Sequence, residues 1–168
     1  LKNAKKIVVI PGYGMAQAHA QSEVVQLAGA LAQMGKEVKF AIHPVAGRMP
    51  GHMHVLLAEA AVDPDTLFDL EEINNDFRNT DVALIVGACD VVNPAAITRS
   101  GTPISGMPIL MAHEARCAVV CNLDERPGYS GVENPLYAAA NTVFLAGDAK
   151  LTTSSLLNAL RAAPGSAI

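Results

Sequence analysis

The sequence predicts an open, doubly wound α/β domain, six short parallel strands in the order 3-2-1-4-5-6 with helices on both faces. Three observations lead there. Short apolar, β-branched runs alternate with stretches of helical spacing along the 168 residues, the pattern of strand–crossover–strand units. Hydrophobic residues make up 51% of the chain but aromatic ones only 4%, with no Trp. The core must therefore be built of Ala, Val, Leu and Ile, which suits a parallel sheet buried on both faces. Finally, a Gly-Tyr-Gly turn directly follows the first strand-like run. The length fits one domain over residues 1–168.

Each element has its own signal. Residues 5–12, "KIVVIPG" after Lys5, are a short β-branched run closed by Pro11 and Gly12, a buried first strand. Residues 15–35 place Val24, Val25, Leu27, Ala28, Leu31 and Ala32 at helical spacing, and Gly35 marks the helix end. Residues 36–44 read as the second strand. A Gly/Pro-rich loop follows, then a short helix over 54–60. Residues 63–80 open with acids and Pro64 in the manner of a helix start and continue as an amphipathic helix. "DVALIVGA", 81–88, is the third strand, and 90–108 a loop with one helical turn. Residues 109–122 hold a fourth strand piece, a short helix and a fifth strand, "CAVVC". Residues 141–149 are the sixth strand, and "AKLTTSSLLNALRAA" is a closing helix before a fraying tail, 164–168. In this scheme strands 1 and 4 meet at a switch point whose loops carry Gly12 and the stretch around Pro108.

Composition narrows the function classes. A net charge of −4 argues against a nucleic-acid surface. Cys89, Cys117 and Cys121 lack metal-ligand spacing, and so few cysteines suit a reducing compartment. Without a membrane-length apolar run or a signal-peptide pattern, the chain reads as soluble. Its polar start, "LKNAKK", reads as a lead into a strand cut from a longer polypeptide. No metal site is expected, since His52 and His54 are two residues apart with no accompanying acid.

Three loops carry candidate chemistry. Gly12 and Gly14 stand between a strand and a helix, where glycines let the backbone approach a pyrophosphate at a helix N-terminus. The third small position of that fingerprint is Gln17, so the match is partial, and an ordinary strand-to-helix turn reads the same way. Strand 2 ends without the acid that usually holds a ribose hydroxyl; it offers His43, Arg48 and His52 instead. Arg48, after Gly47, is either a phosphate-forking guanidinium or a solvated loop charge, and His43, before Pro44, reads as structural. The 81–88 strand ends in Gly87, Ala88, Cys89, Asp90 and Asn93. Asp90 serves there as a functional carboxylate, as a helix N-cap, or as both. Cys89 has no base beside it and is not a nucleophile.

Seven runs, "PGYGMAQAHAQ", "FAIHPVAGRMPGHMHVLLAEA", "EEINNDF", "GACDVVNPAA", "GMPIL", "GYSGVENPLY" and "GDAK", together resemble the NADP(H)-binding domain III of proton-translocating nicotinamide nucleotide transhydrogenase, the C-terminal part of its beta subunit. The resemblance runs from about residue 7 to residue 160. It implies a Rossmann-like domain holding NADP(H) in a flipped orientation, presented for direct hydride transfer with NAD(H) on domain I of the alpha subunit. It also implies a transmembrane domain II that couples this to proton movement, and a place on the cytoplasmic face of a bacterial inner membrane.

By position, the resemblance sets the pyrophosphate against Gly12, Tyr13, Gly14, Met15 and Ala16, with Gly47 and Arg48 at phosphate groups. Gly87, Ala88 and Cys89 border the cofactor, and Asp90 stands at the nicotinamide end, as the residue tied to proton coupling. Gly128, Tyr129, Ser130, Gly131 and Val132 form a lid, and Gly147, Asp148, Ala149 and Lys150 line the adenosine side. Relatives carry Lys-Arg-Ser where this chain has Asn122, Leu123 and Asp124, and Cys89 stands for a common Asn. Arg126 is then the cation left to meet a 2′-phosphate, with Asp124 and Glu125 turned to solvent. The departures leave two further readings open: an NAD(H)-preferring variant, and a nucleotide-binding regulatory module without turnover of its own.

Overall fold

The computed structural model describes residues 1–162; the tail expected to fray, 164–168, lies outside the described residues. Among them, six parallel strands form one sheet in the order β3-β2-β1-β4-β5-β6. The strands are β1 (Lys6–Pro11), β2 (Glu37–Ile42), β3 (Leu67–Asp69), β4 (Val82–Val86), β5 (Cys117–Asn122) and β6 (Thr142–Ala146). The doubly wound class and the 3-2-1-4-5-6 order hold, and the chain is a Rossmann-like α/β domain.

Alternation along β1 shows how the two faces are built. Ile7 and Val9 join a cluster with Leu27, Leu31, Leu57, Leu157 and Leu160. Val8 and Ile10 face the other way, into a cluster with Ile73, Phe77, Leu110 and Leu136. The first face is covered by α2 (Gln21–Gln33), α3 (His52–Glu59) and α6 (Ala149–Arg161), the second by short turns and irregular segments, and the one-turn helix α5 (Ala95–Thr98) packs in a separate small cluster with Val132. With both faces buried, β4 is apolar at every position and buried throughout. No helix among the described residues is long and apolar enough to cross a membrane.

Two strand assignments change. The amphipathic 63–80 stretch is not one helix. It is a 3₁₀ turn (Pro64–Thr66), the short edge strand β3, a one-turn helix α4 (Leu70–Ile73) and a second 3₁₀ turn (Asn74–Asn79). The acids and Pro64 that suggested a helix start cap the first turn, with Asp63 accepting from the Asp65 N–H at 3.0 Å. Conversely, the strand piece expected near residue 109 is irregular. Asn74 takes over its backbone groups, donating from Nδ2 to the Ile109 carbonyl at 2.9 Å and accepting the Met111 N–H at 2.9 Å. The 81–88 run is therefore the fourth strand in the sheet, and the loops at the switch point begin at Gly12 and Gly87, not near Pro108.

The long helix expected over 15–35 is broken into α1 (Tyr13–Gln17) and α2, with His19 at φ 52° between them. Its C-terminus is as expected: Gly35, at φ 82°, donates to Ala32 at 3.0 Å and Lys36 to Leu31 at 3.3 Å, a Schellman closure.

His43, buried just past β2, is a structural tether. Its Nδ1 accepts the Val45 N–H at 3.1 Å, leaving Nε2 to donate to the Pro108 carbonyl at 2.6 Å. Burial depresses its pKa below the ordinary value of 6.5, against the raising effect of the Pro108 bond. Below 6.5 the unfolded chain takes up a proton that the folded chain resists. Stability is thus present above that value and is lost as pH falls toward the folded pKa. Urea midpoints measured from pH 7 to pH 5 should decline, and the decline should flatten in His43→Gln.

Candidate functional site

The C-terminal ends of β1 and β4, paired at Pro11 and Val86, open the crevice where doubly wound sheets take ligands. Here two backbones cross at close range. Gly12 donates to Val86 at 2.9 Å, Gly14 to Gly87 at 2.8 Å, and Met15 to Gly12 at 3.1 Å. A Cβ on Gly14 would lie 2.7 Å from the Gly87 Cα, and one on Gly12 2.5 Å from the Ala88 Cα. Gly87 itself sits at φ 70°, where a Cβ would run into Gly14 and Met15. The glycines are thus required by loop-against-loop packing, and three of the N–H groups at the turn are already bonded within the protein. Met15 is fully buried, Ala16 half-buried.

Beside this crossing lies the loop after β2. Gly47 adopts φ 87°, and the Arg48 N–H donates to His52 Nδ1 at 3.0 Å. The exposed Arg48 guanidinium lies over the Tyr13 ring, 4.3 Å from its centre.

The loops after β4 and β5 are joined by side-chain bonds. Asp90 accepts from the Ser130 N–H at 3.0 Å and from the Ser130 hydroxyl at 2.6 Å. That hydroxyl oxygen accepts the Val132 N–H at 3.1 Å. Asn93 donates to the Val132 and Glu133 carbonyls at 3.3 and 3.2 Å, and its Oδ1 caps Ala95 at 2.9 Å. Asn134 donates to the Cys89 carbonyl at 3.1 Å. Val132 is buried against Ala95, Ala96, Ile104 and Ile109. A tight turn from Gly128 to Gly131, closed by a 3.0 Å bond, leaves Tyr129 fully exposed at its tip. Gly128 passes so close that a Cβ there would lie 3.1 Å from Asp90 Oδ1. Asp90 does not cap the turn Asp90–Val92, whose N-cap position is Cys89 with no side-chain bond; its carboxylate is spent on Ser130 instead. The one local sign of a role for Asn134 is the following Pro135, since it caps the 3₁₀ turn Pro135–Ala138.

Asn122 ends β5 under this strap. Its Nδ2 donates to the Ala88 carbonyl at 2.9 Å and to the Tyr137 hydroxyl at 2.7 Å. Its buried Oδ1 has no partner among the described residues, an orphaned acceptor of the kind that a ligand N–H or O–H satisfies. Burial pushes the Cys89 thiol up, and burial with the adjacent Cys89 does the same to the Tyr137 phenol. Cys121 behind them is pushed up to about 12 by burial. Both thiols therefore stay protonated and unreactive near neutral pH.

Arg126 is not free. Asp124 binds it at 2.6 Å and 2.8 Å and also accepts its backbone N–H at 2.9 Å. The guanidinium in turn holds the Asp124 carboxyl below the usual carboxylate range. Asp124 thus pairs with Arg126 while staying partly open to solvent, and Glu125 is exposed. At the start of α6, Gly147 donates to the Asn122 carbonyl at 3.0 Å. Asp148 caps the helix through Lys150 and Leu151 at 3.0 and 3.1 Å, and Ala149 is buried. Lys150 leans toward Glu23 at 3.7 Å. The structure therefore gathers the Gly12, Asn122 and Gly128 groups around the Gly87–Asp90 loop that follows β4 and sets the Gly147 group at the neighbouring helix start.

Comparison with known proteins is consistent with this layout. The family described as NAD(P) transhydrogenase beta subunit matches residues 1–159. Two Rhodospirillum rubrum proteins named NAD(P) transhydrogenase subunit beta are each 51% identical over 160 residues, 95% of this chain and 34% of their own length. The chain thus spans about a third of those relatives. Among solved structures, one described as a thiamin diphosphate-dependent enzyme from Mycobacterium smegmatis aligns over 94% of this chain and 25% of its own, with a TM-score of 0.52 and 14% identity, a likeness of fold alone. With a match over nearly its whole length and half its residues shared with named relatives, the chain belongs to the NAD(P) transhydrogenase beta-subunit family, where it corresponds to the C-terminal domain.

Proposed function

We propose that this chain binds NADP(H) across the C-terminal ends of β1, β4 and β5, in the flipped orientation, and presents it for hydride exchange with NAD(H). The NAD(H) is held on domain I of an alpha subunit, and the whole is coupled through a membrane domain II to proton translocation at the cytoplasmic face. One observation carries the reading. The 128–134 segment is strapped to the loop after β4 by Asp90, Asn93 and Asn134, as a lid would be, directly beside the glycine crossing of Gly12, Gly14 and Gly87 at the switch point.

The residues fit such a group. Asn122 Oδ1, at the end of β5, has no partner among the described residues and can accept from a ligand N–H or O–H. Arg48 keeps its guanidinium clear of any carboxylate among the described residues. The bound nicotinamide supplies the hydride chemistry. The chain fixes its approach and keeps water out under the lid, and Asp90, joined directly to Ser130, stands where the resemblance places the residue tied to proton coupling.

A second reading, preference for NAD(H), is favoured by the Asp124–Arg126 pair. It neutralises the cation that a 2′-phosphate would need and adds a carboxylate beside it. Calorimetric titration with NADP and with NAD separates the two. Tighter NADP binding supports the first, equal or tighter NAD binding the second, and no binding of either overturns both. Asp124→Ser should release Arg126 and raise NADP affinity about tenfold, in line with one charge-assisted contact, while leaving NAD affinity nearly unchanged.

A further inference from the structure

We infer that Tyr13 is a positioning residue for Arg48, its ring holding the guanidinium so that the open N–H edge meets a phosphate oxygen of the bound dinucleotide. The inference rests on the nucleotide-binding reading above and assigns a part of that site.

Three cations stand in the segments that leave the C-terminal ends of β2, β5 and β6: Arg48, Arg126 and Lys150. Arg126 is gripped by Asp124 at 2.6 Å, and Lys150 lies 3.7 Å from Glu23. Among the described residues, Arg48 has no carboxylate partner; its guanidinium carbon sits 4.3 Å from the Tyr13 ring centre instead. Set over an aromatic ring, the guanidinium spends none of its five N–H donors on a protein oxygen among the described residues. The charge is thus oriented without being neutralised.

The arginine is fixed at its other end as well. Its N–H is held by His52 Nδ1 at 3.0 Å, and the preceding Gly47 takes a left-handed φ of 87°. A Cβ on Gly47 would lie 2.8 Å from the His52 Cβ, so the turn packs hard onto the start of α3. A surface arginine normally loses rotamer freedom when it binds an anion; this one is held in advance at backbone and head. Tyr13 immediately follows Gly12, so the stack bridges the loops after β1 and β2 at the edge of the ligand crevice. The ring therefore serves the site through Arg48.

A double-mutant cycle on nucleotide affinity tests this, read by calorimetry with NADP and with NAD. Tyr13→Leu should weaken binding roughly three- to tenfold, and Tyr13→Phe, which keeps the ring, should stay close to the unaltered chain. Arg48→Gln should weaken binding about tenfold or more. The double variant should be no weaker than Arg48→Gln alone. Loss with both nucleotides assigns the contact to the pyrophosphate, and loss with NADP alone assigns it to the 2′-phosphate. Additive losses, a Tyr13→Phe as weak as Tyr13→Leu, or an unchanged Tyr13→Leu would overturn the platform. If Tyr13→Leu does not fold, Arg48→Lys decides, since it keeps the charge and loses the planar stack; full affinity there overturns the inference. Failure of the unaltered chain to bind either nucleotide would instead defeat the underlying reading.

Discussion

Gly87→Ala is expected to destabilise the domain by about 3 kcal/mol or more and to abolish nucleotide binding. Two costs add. An alanine at φ 70° carries roughly 1–2 kcal/mol of backbone strain. Its methyl would also collide with the backbone of Gly14 and Met15, an overpacking worth about 1–3 kcal/mol. Against a typical domain stability of about 5–15 kcal/mol the loss is large, and it falls where β1 and β4 diverge. Gly29→Ala is the matched control. It lies on the exposed side of α2 with nothing near its would-be Cβ, so it should gain about 0.5–1 kcal/mol. Urea unfolding of both variants checks the pair. Similar effects at the two positions would mean that the loop crossing tolerates rearrangement.

Asp90→Ala should free the lid without unfolding the domain. The carboxylate accepts both the N–H and the hydroxyl of Ser130, and each bond to a charged acceptor is worth roughly 1.5–3 kcal/mol at most. Losing them should speed amide exchange at Ser130 and Val132 by about ten- to a hundredfold, while exchange in β4 stays as it was. Asp90→Asn keeps one acceptor and should fall between. Unchanged exchange at Ser130 would show that Asn93, Asn134 and the buried Val132 hold the lid by themselves.

The fold was legible because its strands obey simple rules. The β-branched run of β1 and the wholly apolar β4 announce buried parallel strands, and Gly35 marks the end of α2 by the conformation it adopts. What misled was local competition. β3 is three residues long and lies between an Asp63-capped turn and a one-turn helix whose Glu72 accepts the Asp69 N–H at 2.8 Å, so helix-start signals hid a strand. The apolar run after Pro108 looked like a strand, but the Asn74 side chain, 35 residues earlier, captures its backbone groups. At the site, the residue types could be read along the chain, and the resemblance singled out the 128–132 turn. The pairings could not: Asp90 with Ser130, Tyr13 with Arg48 and Asn134 with Cys89 join loops that only the folded sheet brings together. Asp124 with Arg126 was near enough in sequence to meet, yet the choice between facing solvent and facing each other belongs to the loop's geometry.

The proposed role of this chain is to present NADP(H) to a partner for direct hydride transfer. Mixing the chain with an NAD(H)-binding transhydrogenase domain I and following NADPH-dependent reduction of an NAD analogue tests it most directly. Transfer should need both proteins and should slow in Asp90→Ala. Tight nucleotide retention with no transfer would contradict it and leave a nucleotide-binding module without turnover of its own.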